Sequence, residues 1–123
     1  MEDDITGLDL TQLRLTVQQA ALPADRQMAR LKGYDVPFEI ADDFDNWCRW
    51  ALGSTDLQLT TEQRSCLAAL NLRLSKMSGE HNAILWDIDS LQHRMEWEEV
   101  RRDAHKILRA FHWPAAEDAE ADN

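Results

Sequence analysis

The sequence predicts an all-α fold, a compact single-domain bundle of about five helices with the longest at the C-terminal end. Apolar residues recur at spacings of three and four along most of the chain. No segment sustains period-two alternation with β-branched enrichment, and the best strand candidate, 57–61, is short and reads as the approach to a helix. Glycine and proline are placed as helix punctuation: Pro23 and Pro37 can open helices, while Gly33, Gly53 and Gly79 follow apolar-periodic segments. With 123 residues, 44% of them hydrophobic, and five Trp, three Phe and one Tyr, the chain suffices for one core. Such a core buries roughly two thirds of the unfolded surface without help from a metal or disulfide.

The first helix is predicted over 10–21, with Asp9 as its cap, Gln12 in the capping-box position, and Leu10, Leu13, Val17 and Ala20 turned inward. A second covers about 23–32 and buries Ala24, Met28 and Leu31. The third, about 38–52, gathers Ile40, Phe44, Trp47, Cys48 and Ala51 into a stripe about 100° wide and leaves Trp50 outside it. The fourth opens at Thr60 or Thr61, with Gln63 placed to complete a capping box, and Cys66, Leu67, Leu70, Leu74 and Met77 follow the helical period. Beyond it the phase jumps. Ile88 and Leu91 extrapolate to Met95, Glu98 and Arg102, whereas the apolar series is Trp97, Val100, Ala104, Ile107, Leu108 and Phe111. A short helix over 88–93, a break, and a long final helix over 96–112 ended by Pro114 follow from that jump.

The formal net charge of -10 is concentrated at the ends. Glu2, Asp3 and Asp4 at one end and Glu117, Asp118, Glu120 and Asp122 at the other have no Lys or Arg beside them, which leaves 16 acids against 13 bases over 8–113. The expected organisation is an acidic N-terminal tail over 1–7, a helical domain over 8–114, and an acidic, disordered C-terminal tail over 115–123. Such tails aid solubility and argue against tight electrostatic binding to DNA or anionic lipid. The acidic start has no apolar h-region, and no run approaches a membrane span, so a cytoplasmic protein without a membrane partner is expected. Cys48 and Cys66, without CxxC spacing, read as two small hydrophobes in a reducing compartment, with a disulfide between neighbouring helices as the alternative.

Signatures of catalysis and metal binding are missing. No HExxH occurs, and Ser78, Ser90, Arg102 and Arg109 stand three residues before the four histidines where a carboxylate-bundle metal motif needs Glu. Around Asp42, Asp43 and Asp45 the turn Gly and closing Glu of a calcium loop are lacking; a solvated acidic face with an Asp45–Arg49 pair is expected instead. There is no GxSxG and no glycine-rich phosphate loop. No catalytic residue, metal or cofactor is therefore assigned. Arg101, Arg102, Lys106 and Arg109 form a basic run on the final helix, but Glu96, Glu98 and Glu99 open that helix, and a Glu98–Arg102 pair and the macrodipole account for the order of charges. Nucleic acid is not the expected partner.

One segment exceeds this background. Tyr34, Phe38, Phe44, Trp47 and Trp50 lie among Asp35, Glu39, Asp42, Asp43 and Asp45, with Arg49 the only base from 34 to 50. Aromatic anchors within a charged rim are a property of protein interfaces, and filling of the core is the competing use of the same residues. The expected partner-binding set is Tyr34, Asp35, Glu39, Asp42, Asp43, Asp45 and Trp50. The expected function is non-catalytic binding of another, basic protein, with inhibition by occlusion. Immunity proteins and antitoxins, small acidic bacterial inhibitors, share this profile of composition. A homo-oligomeric helical enzyme or small-ligand binder with its site between helices or subunits is the second reading, homodimers included, and a regulatory DNA-binding protein the third.

Overall fold

A computed structural model describes the backbone of residues 2–116 and the side chains of residues 10–116. Six α-helices, α1 (Glu2–Ala21), α2 (Ala24–Arg30), α3 (Val36–Gly53), α4 (Thr61–Lys76), α5 (Ile88–His93) and α6 (Met95–Phe111), and a 3₁₀ segment (Glu80–Trp86) make up its regular structure. Among the described residues there is no strand, and no helix is long and apolar enough to cross a membrane. The four long helices form a ring in which each packs on its neighbour in chain order, α1 on α3, α3 on α4, α4 on α6 and α6 on α1. The short α5 packs on α2, α3, α6 and the 3₁₀ segment.

The all-α class stands, but two of its details change. The helical elements exceed the expected five: there are six α-helices among the described residues, and the link between α4 and α5 coils into a 3₁₀ segment as a seventh. The final helix is not the longest either: α6 has 17 residues, against 20 in α1 and 18 in α3. Helix α1 starts at Glu2, so position 9 is interior to it and is not a cap. Of the N-terminal tail expected over 1–7, residues 2–7 are therefore helical. From residue 117 on, the expected C-terminal tail lies outside the described residues. Ala116 is buried, and Gln18 Nε2 donates to the Pro114 carbonyl at 2.7 Å, which ties the end of the described chain to α1.

The predicted stripes supply the core. Leu13, Val17, Ile40, Phe44, Cys48, Leu67, Leu70, Trp97, Val100 and Ile107 are buried together. Trp97, fully enclosed, donates its indole N–H to the Leu85 carbonyl at 2.7 Å, so the 3₁₀ segment satisfies the polar end of the largest core residue. Helix α2 buries Gln27, while Ala24, Met28 and Leu31 are half-buried. Gln27 Nε2 donates to the Gln19 and Ala20 carbonyls, both at 3.1 Å, and so caps the C-terminal end of α1. Thr60 and Gln63 form the predicted capping box, with the Gln63 N–H donating to Thr60 Oγ1 at 3.0 Å and the Thr60 N–H to Gln63 Oε1 at 2.9 Å. Helix α6 ends at a left-handed His112 (φ 59°), two residues before Pro114. There the Trp113 N–H donates to the Leu108 carbonyl and the His112 N–H to that of Arg109, a Schellman closure.

Charge placement on α6 also differs from expectation. Glu98 lies 3.5 Å from Arg101, one residue nearer than the predicted Arg102. Arg101 is buried and donates to the Leu91 carbonyl at the end of α5. Burial pushes its pKa below the ordinary arginine value, with Glu98 opposing. It thus leaves the basic face on which the nucleic-acid reading depended. Arg73 on α4 joins Asp103 (2.6 Å) and Glu99 (3.4 Å) of α6. Both cysteines are free: Cys48 is buried with its thiol on the Leu67 carbonyl, and Cys66 is half-buried.

Candidate functional site

Helix α3 carries the aromatic and acidic segment, and its geometry divides that segment in two. At about 100° per residue, Phe38, Ala41, Asp42 and Asp45 fall on one edge, while Asp43, Trp47 and Trp50 fall on the other, with the buried stripe of Ile40, Phe44, Cys48 and Ala51 between them. The second edge turns toward α1. Gln19 hydrogen-bonds the Asp43 carboxylate, whose pKa is raised by burial first and by neighbouring Asp42 second, with Gln19 opposing. Trp50 is half-buried; its ring meets Trp47 edge to face at 6.2 Å and packs on the core. Of the remaining predicted residues, Tyr34 (66% exposed) and Asp35 are exposed just before α3, and Glu39 is half-buried on its first turn.

The first edge opens on a groove of about 490 Å³ between α3 and α4. Phe38, Ala41, Asp42 and Asp45 form one wall, Asn71, Leu74, Ser75 and Ser78 the other, and Gly79 and Trp86 the end. The end wall follows from local chemistry. Past α4 the chain turns through Gly79 at φ +104°, where a Cβ would be strained and would press on the His81 imidazole at 3.2 Å. Asn82 Nδ2 holds the turn by donating to the Lys76 and Ser78 carbonyls at 2.9 and 3.0 Å. The 3₁₀ segment then carries Trp86 back against α4, where its indole N–H donates to the Met77 carbonyl at 2.7 Å. A T-shaped contact with Trp97 at 5.3 Å fixes its ring.

The groove therefore has an apolar and aromatic lining, a carboxylate rim, and small polar side chains opposite. Phe38 remains 53% exposed at its mouth. Asp42 is exposed, and Asp45 holds the predicted ion pair with Arg49 one turn along. Ser78 Oγ donates to the Leu74 carbonyl at 3.0 Å. The lining contains neither His nor Cys, and among the described residues no three His, Cys, Asp or Glu side chains converge to hold a metal. On the histidines, His93 meets Asp89 at 3.1 Å and His81 is exposed beside Asn82.

The structure thus brings Asp42 and Asp45 together with Phe38 and parts them from Asp43 and Trp50. Trp86, Asn71, Ser75 and Ser78 were not legible as site residues, because they join Phe38 only through the packing of α4 and the 3₁₀ turn. No local pattern marks Trp86; Asp87, which follows it, caps α5 by accepting from the Ser90 N–H at 2.8 Å. No protein-family model, curated protein or solved structure matches the chain.

Proposed function

We propose that this protein binds a basic protein partner through the α3–α4 groove and the acidic rim of α3, and acts by occluding that partner. The supporting observation is the groove itself, where a half-exposed Phe38 and a ring-fixed Trp86 flank an apolar floor beside Asp42 and Asp45. Rigid aromatic groups at a groove serve as anchors, and carboxylates at its rim steer a basic surface and set the association rate. Inhibition in the manner of immunity proteins or antitoxins is the form this binding takes in our reading, in the cytoplasm, with Tyr34, Asp35 and Glu39 at the start of α3 extending the surface, and Asp43 and Trp50, on the second edge of α3, forming a separate part of the contact.

The test is capture from extract of the source cells with the wild-type chain and with a Phe38→Ala/Asp42→Asn/Asp45→Asn variant of unchanged helical circular dichroism. A basic protein held by the wild type and released by the variant supports the reading. A protein held equally by both, or an acidic one, overturns it. The groove volume favours one second reading, a small-ligand site between helices, since it falls in the range of roughly 300–1,000 Å³ typical of ligand pockets. A thermal-shift screen separates the two: a small molecule that raises the wild-type midpoint and loses that effect in Leu74→Trp supports the ligand site.

A further inference from the structure

We infer that the α3–α4 groove takes an arginine side chain of its partner as the anchor, with the guanidinium on Asp42 and Asp45, the aliphatic stem on the apolar floor, and Arg49 of this chain as a built-in competitor. The inference rests on the binding function proposed above and names the residue that the groove reads.

Shape and charge select the occupant together. Asp42 and Asp45 are three residues apart on one helix face, so one planar group can address both carboxylates. Arginine presents donors in a fixed fork, stacks on aromatic faces and is weakly hydrated, which suits a groove with Phe38 at its mouth and Trp86 at its end. Lysine offers a compact, strongly hydrated charge that matches carboxylates but not this lining. The molecule contains a stand-in: the Arg49 guanidinium lies on Asp45 from the solvent side, with its own side chain 74% exposed. That ion pair is screened and weak, so an incoming arginine with the added apolar floor displaces it. Arg49 is also the only base from 34 to 50. It lowers the affinity of the rim for stray cations and makes binding depend on contacts that only a fitted side chain makes.

The test titrates the full chain with N-acetyl-arginine N-methylamide at low salt, following the Trp86 indole N–H by ¹H–¹⁵N correlation. The expected result is a saturable shift of that resonance, abolished when the probe is the uncharged citrulline analogue. Asp42→Asn/Asp45→Asn is expected to weaken binding by about tenfold or more, and Arg49→Gln to strengthen it by about two- to fivefold, with the gain vanishing at high salt. A citrulline or lysine analogue that binds as tightly overturns the assignment, as does Arg49→Gln weakening the probe or no saturable shift in a folded chain. These outcomes are separate from those of the capture experiment. A captured basic protein that is released by the groove variant while the arginine probe fails to bind sinks the anchor and leaves the binding reading standing. A probe that binds beside a captured protein indifferent to the groove sinks the binding reading instead.

Discussion

Single residues here divide into those that fill space and those that satisfy backbone groups. Leu70 is fully enclosed at the centre of the α4 stripe, so Leu70→Ala removes buried methyl groups and leaves a cavity. The expected cost is about 2–5 kcal/mol, read from the shift in denaturation midpoint at constant m-value. Titration behaviour follows burial in the same way. Burial, and secondarily Asp45, pushes the Cys48 thiol up to about 12 from an ordinary 9.0. The folded state therefore holds that proton more tightly than the unfolded state, so its contribution to stability is complete below about pH 9 and is lost as pH rises toward 12. In native protein at pH 8, Cys48 is expected to be alkylated far more slowly than half-buried Cys66, as peptide mapping after a timed iodoacetamide pulse will show. Asp43 has the same sign: its pKa is raised above 3.8, so its ionised form opposes folding at neutral pH. Asp43→Asn is expected to leave stability equal or slightly greater at pH 7, with the difference from wild type shrinking as pH falls through the raised pKa, in parallel thermal melts.

At the scale of elements, helix ends decide where the chain turns and so where the groove lies. The Thr60 cap fixes the start of α4, and Gln63 of the same box also donates to the Ala110 carbonyl at 3.2 Å, linking that start to the end of α6. Thr60→Ala is expected to cost about 1 kcal/mol in urea denaturation, with Gln63→Ala non-additive to it because both residues belong to one reciprocal pair. At the other end of α6, His112 occupies a left-handed position that side chains other than glycine adopt at a cost. His112→Gly is expected to raise stability by about 0.5–1 kcal/mol, and a loss of stability in the same assay would show that the imidazole contributes more than its strained backbone costs. The charge order along α6 was legible in the sequence, but its pairing was not. Arg101 is drawn inward by the open carbonyl at the end of α5, a group whose position depends on how α5 meets α6.

Over the whole molecule, the net charge of -10 and the bundle pull in different directions. Seven acids at the two ends supply most of the imbalance, while the stretch 8–113 is close to neutral. Residues 117–123 contain no large apolar side chain, whereas Trp113 stacks on Phe111 at 4.2 Å and the Pro114 carbonyl accepts from Gln18. A chain ending at residue 116 is expected to keep its helical circular dichroism and midpoint, and one ending at residue 112 to lose stability. Equal midpoints for the two would show that α1 does not depend on the segment that crosses it.

Residue order alone gives the helical class, the inward stripes of α1, α3, α4 and α6, the Thr60 capping box, the Asp45–Arg49 pair and the phase break before α6, because each is set by residues within a few turns of one another. It also marked 34–50 as the segment richest in aromatic and acidic groups. Which of those residues face the same space was settled by packing between elements. Helical rotation put Asp42 and Asp45 on one edge of α3 and Asp43 with Trp50 on the other, but the packing of α4 and the 3₁₀ turn made the first edge a groove, and Gln19 of α1 engaged the second. Periodicity reports the angle of a side chain about its own helix; what stands opposite depends on packing that brings residues as distant as Phe38 and Trp86 to one groove, and that packing leaves no local pattern in the chain.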